Sequence, residues 1–219
     1  MGARENILGR IRTALRREDG DGARARVQTR LGAHASRPRP PIGGDLLTRF
    51  RQRAWQLSTT FSDVPNLRRV PAAVAAYLHA GGLPMRAVCW QSLRMLDWVN
   101  NGVLVEQRPA GESDRVGITG VFCAIAETGT LMTLSGVHTP AVSSLLPETH
   151  IAVVYASQIV PAMEEAWQRL RYTHGEMPRA VNFISGPSRT ADIEQTVTLG
   201  AHGPYRLHVV LVFEGGDNA

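Results

Sequence analysis

Short apolar segments alternate with amphipathic helical patterns along most of this 219-residue chain, and that alternation is the strongest constraint on its fold. The strand-like segments are residues 86–90, 102–107, 121–126, 130–135, 151–156, 180–184 and 207–213, and the helical patterns are residues 45–57, 70–80, 92–98 and 159–172. Strands this apolar are typical of sheets that are covered on both sides. The sequence therefore predicts an α/β fold with a mostly parallel sheet and helices on both of its faces.

The first part of the chain differs from the rest. Four apolar side chains recur there at helical spacing: Ile7, Leu8, Ile11 and Leu15. The following segment loses this periodicity and is rich in Gly, Arg and Pro, as is typical of a linker. We therefore expect three parts: an amphipathic helix over residues 1–17, a linker over residues 18–43, and an α/β domain over residues 44–215.

All 24 basic residues are Arg, and the chain contains no Lys. This composition excludes mechanisms that need a lysine amine, such as Schiff-base chemistry or a Walker-type phosphate site. Residues 1–53 hold 13 Arg and 5 acidic residues, whereas residues 54–219 hold 11 Arg and 14 acidic residues. The positive charge thus belongs to the N-terminal part, and no nucleic-acid-binding motif accompanies it, which favours docking to a partner over nucleic-acid binding.

The two cysteines, Cys89 and Cys123, are too few for a disulfide framework or for the four thiolates of an iron–sulfur cluster. Cys89 lies in an apolar run and is expected to be a buried, small hydrophobic residue. No apolar segment is long enough to span a membrane, and no secretory signal is visible. We therefore expect a cytoplasmic protein.

A carboxylate interrupts the apolar strands between residues 117 and 131. Glu127 is followed by Thr128, Gly129 and Thr130, so its charge would have hydroxyl groups beside it. Such a carboxylate is suited to act as a nucleophile, a general base or a polar anchor for a ligand. The alternative is structural, with Glu127 accepting hydrogen bonds from a tight turn.

A second polar segment follows the apolar strand that ends near Ile184. Its candidate ligand-binding residues are Ser185, Gly186, Ser188, Arg189 and Thr190. If a helix began after this turn, its free N–H groups, the hydroxyls and the guanidinium would form an anion or carboxylate site. Ordinary helix capping explains the same residue types and remains the alternative.

His202 lies between Gly200 and Gly203 in a short loop downstream of this segment, where it could reach the same crevice as a proton carrier. We accordingly take Glu127 and His202 as the candidate catalytic residues. The other histidines show no spacing typical of a metal site, so no metal is predicted. A glycine-rich dinucleotide motif is also absent from the sequence.

Three segments, in this order and at these separations, together resemble the LUD-domain family in its lactate-utilisation branch. They are Gly117–Leu131 with AIAETGT, Ser144–Ile151 with SLLPETHI, and Ser185–Pro204 with SGPSRTADIEQTVTLGAHGP, the last followed by Arg206, Leu207 and His208. The resemblance covers most of residues 44–213, and the N-terminal helix also fits it. It implies a fold similar to the ribose-5-phosphate isomerase and CoA-transferase group. It further implies oxidation of L-lactate to pyruvate together with iron–sulfur partner proteins, which would hold the clusters, while this chain binds no cofactor.

Three hypotheses remain open from the sequence. The first is a subunit of a lactate-oxidising system that binds a small carboxylate in a crevice at the carboxyl ends of its strands. The second is a non-catalytic scaffold whose first helix docks a partner. The third is an acyl- or CoA-transferring enzyme with Glu127 as its nucleophile, which rests on analogy of fold alone.

Overall fold

A computed structural model describes residues 2–15, 21–33, 42–191, 197–199 and 203–213 of the chain. The chain divides into two compact units, residues 1–41 and 42–219. The first unit contains helix α1 (Ala3–Leu15), where the sequence predicts one, and helix α2 (Asp21–Ala33), which lies within the predicted linker. Good helix formers such as Ala and Arg dominate α2, but it has almost no apolar periodicity, so the sequence pattern fails to indicate it.

In its described residues, the second unit contains four α-helices and twelve strands. The helices are α3 (Leu46–Gln56), α4 (Val70–Ala80), α5 (Val142–Leu145) and α6 (Met163–Thr173). The strands are β1 (Thr60–Val64), β2 (Arg86–Cys89), β3 (Leu104–Glu106), β4 (Val116–Gly120), β5 (Cys123–Ile125), β6 (Thr130–Leu134), β7 (Thr149–Tyr155), β8 (Ile159–Val160), β9 (Val181–Ile184), β10 (Arg189–Ala191), β11 (Val197–Leu199) and β12 (Arg206–Val212).

Six of these strands form a sheet in the order β1-β12-β7-β4-β2-β3, and every neighbouring pair is parallel. The order is not sequential, as expected for parallel strands joined by crossover connections. This confirms the predicted α/β fold with a mostly parallel sheet. The more specific likeness to the ribose-5-phosphate isomerase and CoA-transferase group remains a prediction.

Alternate residues of the central strands contribute to two separate apolar cores, one on each face of the sheet. On one face, α4 packs Val74 and Leu78 against a core that includes Ile151. On the other face, α3 packs Phe50 and Ala54 against a core built on the alternate residues of the same strands. Helices therefore lie on both faces, as predicted.

A second sheet, in the order β8-β5-β6-β9, shares the α3 face. Its strands β5, β6 and β9 are segments that the sequence correctly predicts as apolar strands, but β6 runs antiparallel to both of its neighbours. Apolar composition identifies a buried strand and does not reveal which sheet the strand joins. The cover on this face is thus a helix together with a sheet.

Two local predictions are wrong. Residues 92–98 do not form the predicted helix. A short 3-10 turn, Gln91–Leu93, is present there instead. No helix begins in the described residues after Ser185 either, since β10 follows and pairs antiparallel with β11. Elsewhere, none of the helices that the structure describes is long and apolar enough to cross a membrane.

Candidate functional site

The two polar segments singled out in the sequence meet through a chain of three hydroxyl groups. The Oγ1 atoms of Thr128 and Thr130 lie 2.7 Å apart, and Thr130 Oγ1 lies 2.7 Å from Ser185 Oγ. Thr130 is buried, whereas Thr128 and Ser185 are exposed. A buried hydroxyl is thereby hydrogen-bonded on both sides, and the chain opens to solvent at either end.

Glycines dock both segments on the carboxyl end of α3. Gly129 and Gly186 have φ values of +68° and +78°, in the left-handed region that favours glycine. A Cβ at Gly129 would lie 2.7 Å from the carbonyl carbon of Arg53 and 2.8 Å from Ala54 Cα, and one at Gly186 would clash with the Leu57 carbonyl oxygen. The backbone of each segment therefore lies against α3 more closely than any other residue would permit.

Two further contacts fix where the second segment lies. The Arg189 guanidinium donates a hydrogen bond of 2.5 Å to Ser58 Oγ, two residues before β1 begins. The backbone N–H of Ser188 donates to the Pro204 carbonyl at 2.9 Å, two residues before β12 begins. Because β1 and β12 are parallel neighbours, this segment lies at the amino ends of these strands. The predicted crevice at the carboxyl ends is therefore wrong for these residues.

The predicted helix N-terminus is also absent from this segment as the structure describes it. Arg189 and Thr190 lie in β10, where their backbone groups pair with β11. A strand ladder uses the N–H groups that a helix start would have left free for an anion. The anion-site prediction thus loses the helix N-terminus and keeps its side-chain donors, of which Arg189 is the charged one.

Glu127 is half-buried at the end of the other segment. Its backbone N–H donates to the Pro161 carbonyl at 2.9 Å. Within the described residues, its carboxylate has no hydrogen bond or ion pair. His202 lies outside the described residues, so its predicted role as a proton carrier stays a prediction.

A second polar network, which the sequence analysis missed, lies beside β1 and β12. His208 is buried, with Nδ1 2.8 Å from Thr60 Oγ1 and Nε2 3.0 Å from Ser62 Oγ. The Tyr77 ring stacks on the His208 ring, with 3.8 Å between centroids and 15° between planes. Tyr77 also hydrogen-bonds Thr60. The polar alternation of Thr60 and Ser62 along one strand face was the only signal in the sequence that could have indicated this network.

Burial governs the protonation of this network. It lowers the pKa of His208 to about 4, so the imidazole is neutral near pH 7. A neutral imidazole donates from one nitrogen and accepts at the other, which matches one hydroxyl partner on each side. Burial also raises the pKa of the Tyr77 hydroxyl, while its hydrogen bond to Thr60 acts in the opposite direction.

A second buried histidine lies in the middle of the large sheet. His150 Nε2 is 2.8 Å from Thr119 Oγ1, while Nδ1 is buried without a partner among the described residues. Burial lowers the pKa of His150 to about 3, which keeps the ring neutral. Ser143 on α5 is also buried, and its hydroxyl has no partner among the described residues.

The cysteines are unsuited to redox or metal chemistry. Cys89 and Cys123 are buried in separate apolar clusters, as predicted for Cys89, and burial raises the pKa of each thiol to about 11. A thiol is nucleophilic and ligates metals as the thiolate, which is scarce near pH 7 at such a pKa. In the described parts of the chain, no three side chains of His, Cys, Asp or Glu come together as a metal site would require.

These elements define a class of α/β protein in which a parallel six-stranded sheet and a smaller mixed sheet share the apolar core on the α3 face of the large sheet. Two polar segments are docked on α3 through glycines. Residues 85–212 match the LUD domain, and this match covers more than half of the chain. The chain belongs to the LUD-domain family.

Relatives with assigned names support this placement. The chain is 36% identical over 134 residues to lactate utilization protein C of Bacillus subtilis, covering 56% of each chain. It is 37% identical over 125 residues to the protein of the same name from Halalkalibacterium halodurans, covering 56% of this chain and 53% of that one. The matched regions thus span a little over half the length of these relatives.

A solved structure shows a similar fold. The crystal structure of a DUF162 family protein from Deinococcus radiodurans superposes with a TM-score of 0.60 at 26% sequence identity. The superposition covers 78% of this chain and 99% of that one.

Proposed function

We propose that this chain is a component of a lactate-utilisation system that oxidises L-lactate to pyruvate together with iron–sulfur partner proteins. The observation that carries the proposal is the 36% identity to a lactate utilization protein C over 134 residues. The LUD-domain match over residues 85–212 includes both glycine-docked segments. In this reaction L-lactate loses two electrons and two protons. The electrons pass to the partner proteins, and this chain binds the small carboxylate.

The chemistry of this chain supports that division of roles. The two thiols are buried apart from each other with a raised pKa, and an iron–sulfur cluster usually needs four thiolates. We accordingly propose that the clusters belong to the partner proteins and that this chain holds no cofactor. The two free thiols also support a cytoplasmic location, where cysteines stay reduced.

Reconstitution tests this proposal. The full chain is mixed with candidate iron–sulfur partner proteins, and pyruvate formation from L-lactate is followed with an artificial electron acceptor. We expect pyruvate only when all components are present. An equal rate of pyruvate formation without this chain would contradict the proposal.

A scaffold role is the second candidate, and a specific observation favours it. The polar groups of the docked segments largely satisfy one another: Thr130 bonds two hydroxyls, and Arg189 bonds Ser58. Such contacts hold a segment in place without any ligand. Glu127→Gln and Arg189→Ala variants in the reconstituted system separate the two roles, because a scaffold would keep full turnover in both.

Acyl or CoA transfer through Glu127 is a third candidate, supported by its half-buried carboxylate, which has no partner among the described residues. A carboxylate nucleophile would form a covalent acyl adduct. Mass spectrometry of the intact chain after incubation with an acyl-CoA would show the mass gain, and Glu127→Gln would abolish it. An unchanged mass in the native protein would eliminate this candidate.

A further inference from the structure

Two arginines lie at the amino edge shared by β1 and β12. Arg206 is the first residue of β12, and Arg189 is bonded to Ser58, two residues before β1 begins. Since Thr60 pairs with His208, Arg206 lies two residues before His208 on β12, and Ser58 lies in the turn two residues before Thr60. The Arg189 guanidinium and the backbone of Arg206 therefore lie at one edge of the sheet, and both arginine side chains are exposed.

Two carboxylates on or next to the strands of this sheet are already paired: Glu148, which lies at the amino edge, and Asp63, which is opposite Leu211 further along β1. Glu148 lies directly before β7, and its backbone carbonyl accepts from the Arg206 backbone N–H at 3.1 Å. The Glu148 carboxylate is bound by Arg115, with 3.1 Å between Arg115 Nη2 and Oε1. Asp63, on β1, is bound by Arg51. Among the described residues, neither Arg189 nor Arg206 forms an ion pair with an acidic side chain.

Hydroxyl groups and a neutral imidazole lie beside Arg206 on the same edge. Tyr77 is half-buried, hydrogen-bonds Thr60, and lies within electrostatic reach of Arg206, whose charge favours its ionised form. Thr60 is exposed and bonds His208 in turn, and His208 bonds Ser62 deeper in the sheet. A continuous hydrogen-bonded path thus leads from the exposed edge to the buried imidazole.

We propose that this edge is a binding site for a small carboxylate anion, with the guanidiniums of Arg206 and Arg189 holding the carboxylate and the Tyr77–Thr60–His208 path orienting the rest of the ligand. This inference rests on the proposed function for the identity of the ligand, which is a 2-hydroxy acid. It adds four residues, Thr60, Tyr77, Arg206 and His208, to those indicated by the sequence, and it moves the site to the amino ends of the strands.

The chemistry of the edge fits such a ligand. A guanidinium binds a carboxylate through two parallel hydrogen bonds, and these charge-assisted bonds are stronger than neutral ones. The Thr60 hydroxyl can accept from, or donate to, the 2-hydroxyl group of the acid because it is both donor and acceptor. His208 holds the Thr60 hydroxyl in place, since its Nδ1 is bonded to Thr60 Oγ1 and its Nε2 to Ser62 Oγ. His208 is thus a positioning residue.

Calorimetric titration of the full chain with L-lactate, in a chloride-free buffer of low ionic strength, tests the site. We expect saturable binding that Arg206→Gln weakens by about ten-fold or more, as the loss of a charge-assisted hydrogen-bonded pair would do. Arg171→Gln, an exposed arginine on α6, changes the net charge equally and should leave binding unchanged. Tyr77→Phe keeps the ring that stacks on His208 and should weaken binding several-fold.

The outcomes separate the site from the proposed function. If the reconstituted system oxidises L-lactate while Arg206→Gln and Arg171→Gln behave alike in both binding and turnover, the site is wrong and the function stands. If L-lactate binding depends on Arg206 but no pyruvate forms, the site stands and the function is wrong. Tighter binding of inorganic phosphate than of L-lactate would overturn the carboxylate assignment, and thermal unfolding curves confirm that each variant is folded.

Discussion

Gly129 and Gly186 determine how the polar segments reach α3. At both positions the backbone has a positive φ, and the space that a Cβ would occupy is filled by the backbone of the last turn of α3 or of Leu57 beyond it. The sequence indicates these glycines as parts of candidate sites. Their conformational role depends on contacts with α3, which lies about 75 residues before Gly129 and about 130 residues before Gly186, so the local sequence does not reveal it.

Substitution of Gly129 should destabilise the whole second unit. Gly129→Ala introduces both left-handed strain and a clash with α3, and we expect it to lower the free energy of unfolding by about 2–4 kcal/mol. Gly82→Ala is the matched control: Gly82 has a φ of +59° but nothing within 4 Å of the added Cβ. It should cost only the strain, about 1 kcal/mol. Equal losses in urea unfolding would show that the contact with α3 is absent.

The buried histidines predict how stability depends on pH. Burial lowers the pKa of His150 to about 3 and of His208 to about 4, whereas both titrate near 6.5 in the unfolded chain. Between about pH 6.5 and pH 4 the unfolded chain therefore holds protons that the native chain lacks, so acidification favours unfolding. Each histidine should remove up to about 1.4 kcal/mol of stability per pH unit in this window.

Urea unfolding at pH 7.5, 6 and 5 measures this effect. We expect the midpoint to be highest at pH 7.5 and to fall steeply towards pH 5, before the carboxylates titrate. The variant His208→Gln should show a shallower fall than the parent protein. A midpoint that stays constant from pH 7.5 to pH 5 would show that neither imidazole is buried in its neutral form.

Helix α3 is the element on which both polar segments of the candidate site are docked. It is capped at its N-terminus by Asp45, whose carboxylate accepts from the Thr48 backbone N–H at 2.8 Å, and it ends before Ser58, which has a φ of +66°. Phe50 is fully buried and makes an edge-to-face contact with Phe61 on the adjacent strand, at 6.0 Å between ring centroids. The helix is thus anchored by one aromatic side chain on its buried face.

Phe50→Ala should therefore loosen α3 and the segments docked on it. We expect a loss of about 3–5 kcal/mol in the free energy of unfolding, as for a large aromatic removed from a core. Trp55 lies on the same helix but is 72% exposed, so Trp55→Ala should change stability by about 0.5 kcal/mol or less. Chemical denaturation of both variants checks the difference, and a greater loss for Trp55→Ala would reverse the orientation of α3.

Several elements could be predicted from local sequence, and others could not, for identifiable reasons. Strands β7 and β12 are long apolar runs buried on both faces, so their pattern is unambiguous. Strand β4 was not predicted, because it contains Gly117 and Gly120, a composition typical of turns. Gly117 is nevertheless required in the strand, because a Cβ there would lie 2.9 Å from Pro147 Cγ and would clash with the Ser143 carbonyl. Strand β1 is an edge strand with polar side chains, which weakens its apolar signal.

The candidate site was predictable in its residue types but not in its position. The sequence indicates Arg189 and the hydroxyls of Thr130 and Ser185, and the structure joins these two hydroxyls. It could not indicate Tyr77 or Arg206, because their proximity comes from parallel pairing of β1 with β12 and from the packing of α4, which are long-range contacts. The predicted helix after Ser185 failed because capping residues also occur in hairpins, and the pairing of β10 with β11 is tertiary in origin.

At the scale of the whole molecule, the positive charge and the candidate site belong to different parts of the chain. The Arg-rich first 53 residues carry a net charge of +8, whereas the rest of the chain is mildly acidic and contains the sheets and the polar edge. The topology places β1 and β12 side by side although they are separated by about 140 residues. Only this long-range pairing brings Arg206 to the edge that Arg189 reaches.

The central claim, that a small carboxylate binds at the amino edge of β1 and β12, is tested most directly by a crystal structure of the full chain grown with L-lactate. We predict electron density for L-lactate with its carboxylate within hydrogen-bonding distance of Arg206 and its 2-hydroxyl near Thr60. L-lactate bound instead at the carboxyl ends of the parallel strands, with Arg206 free, would contradict the account.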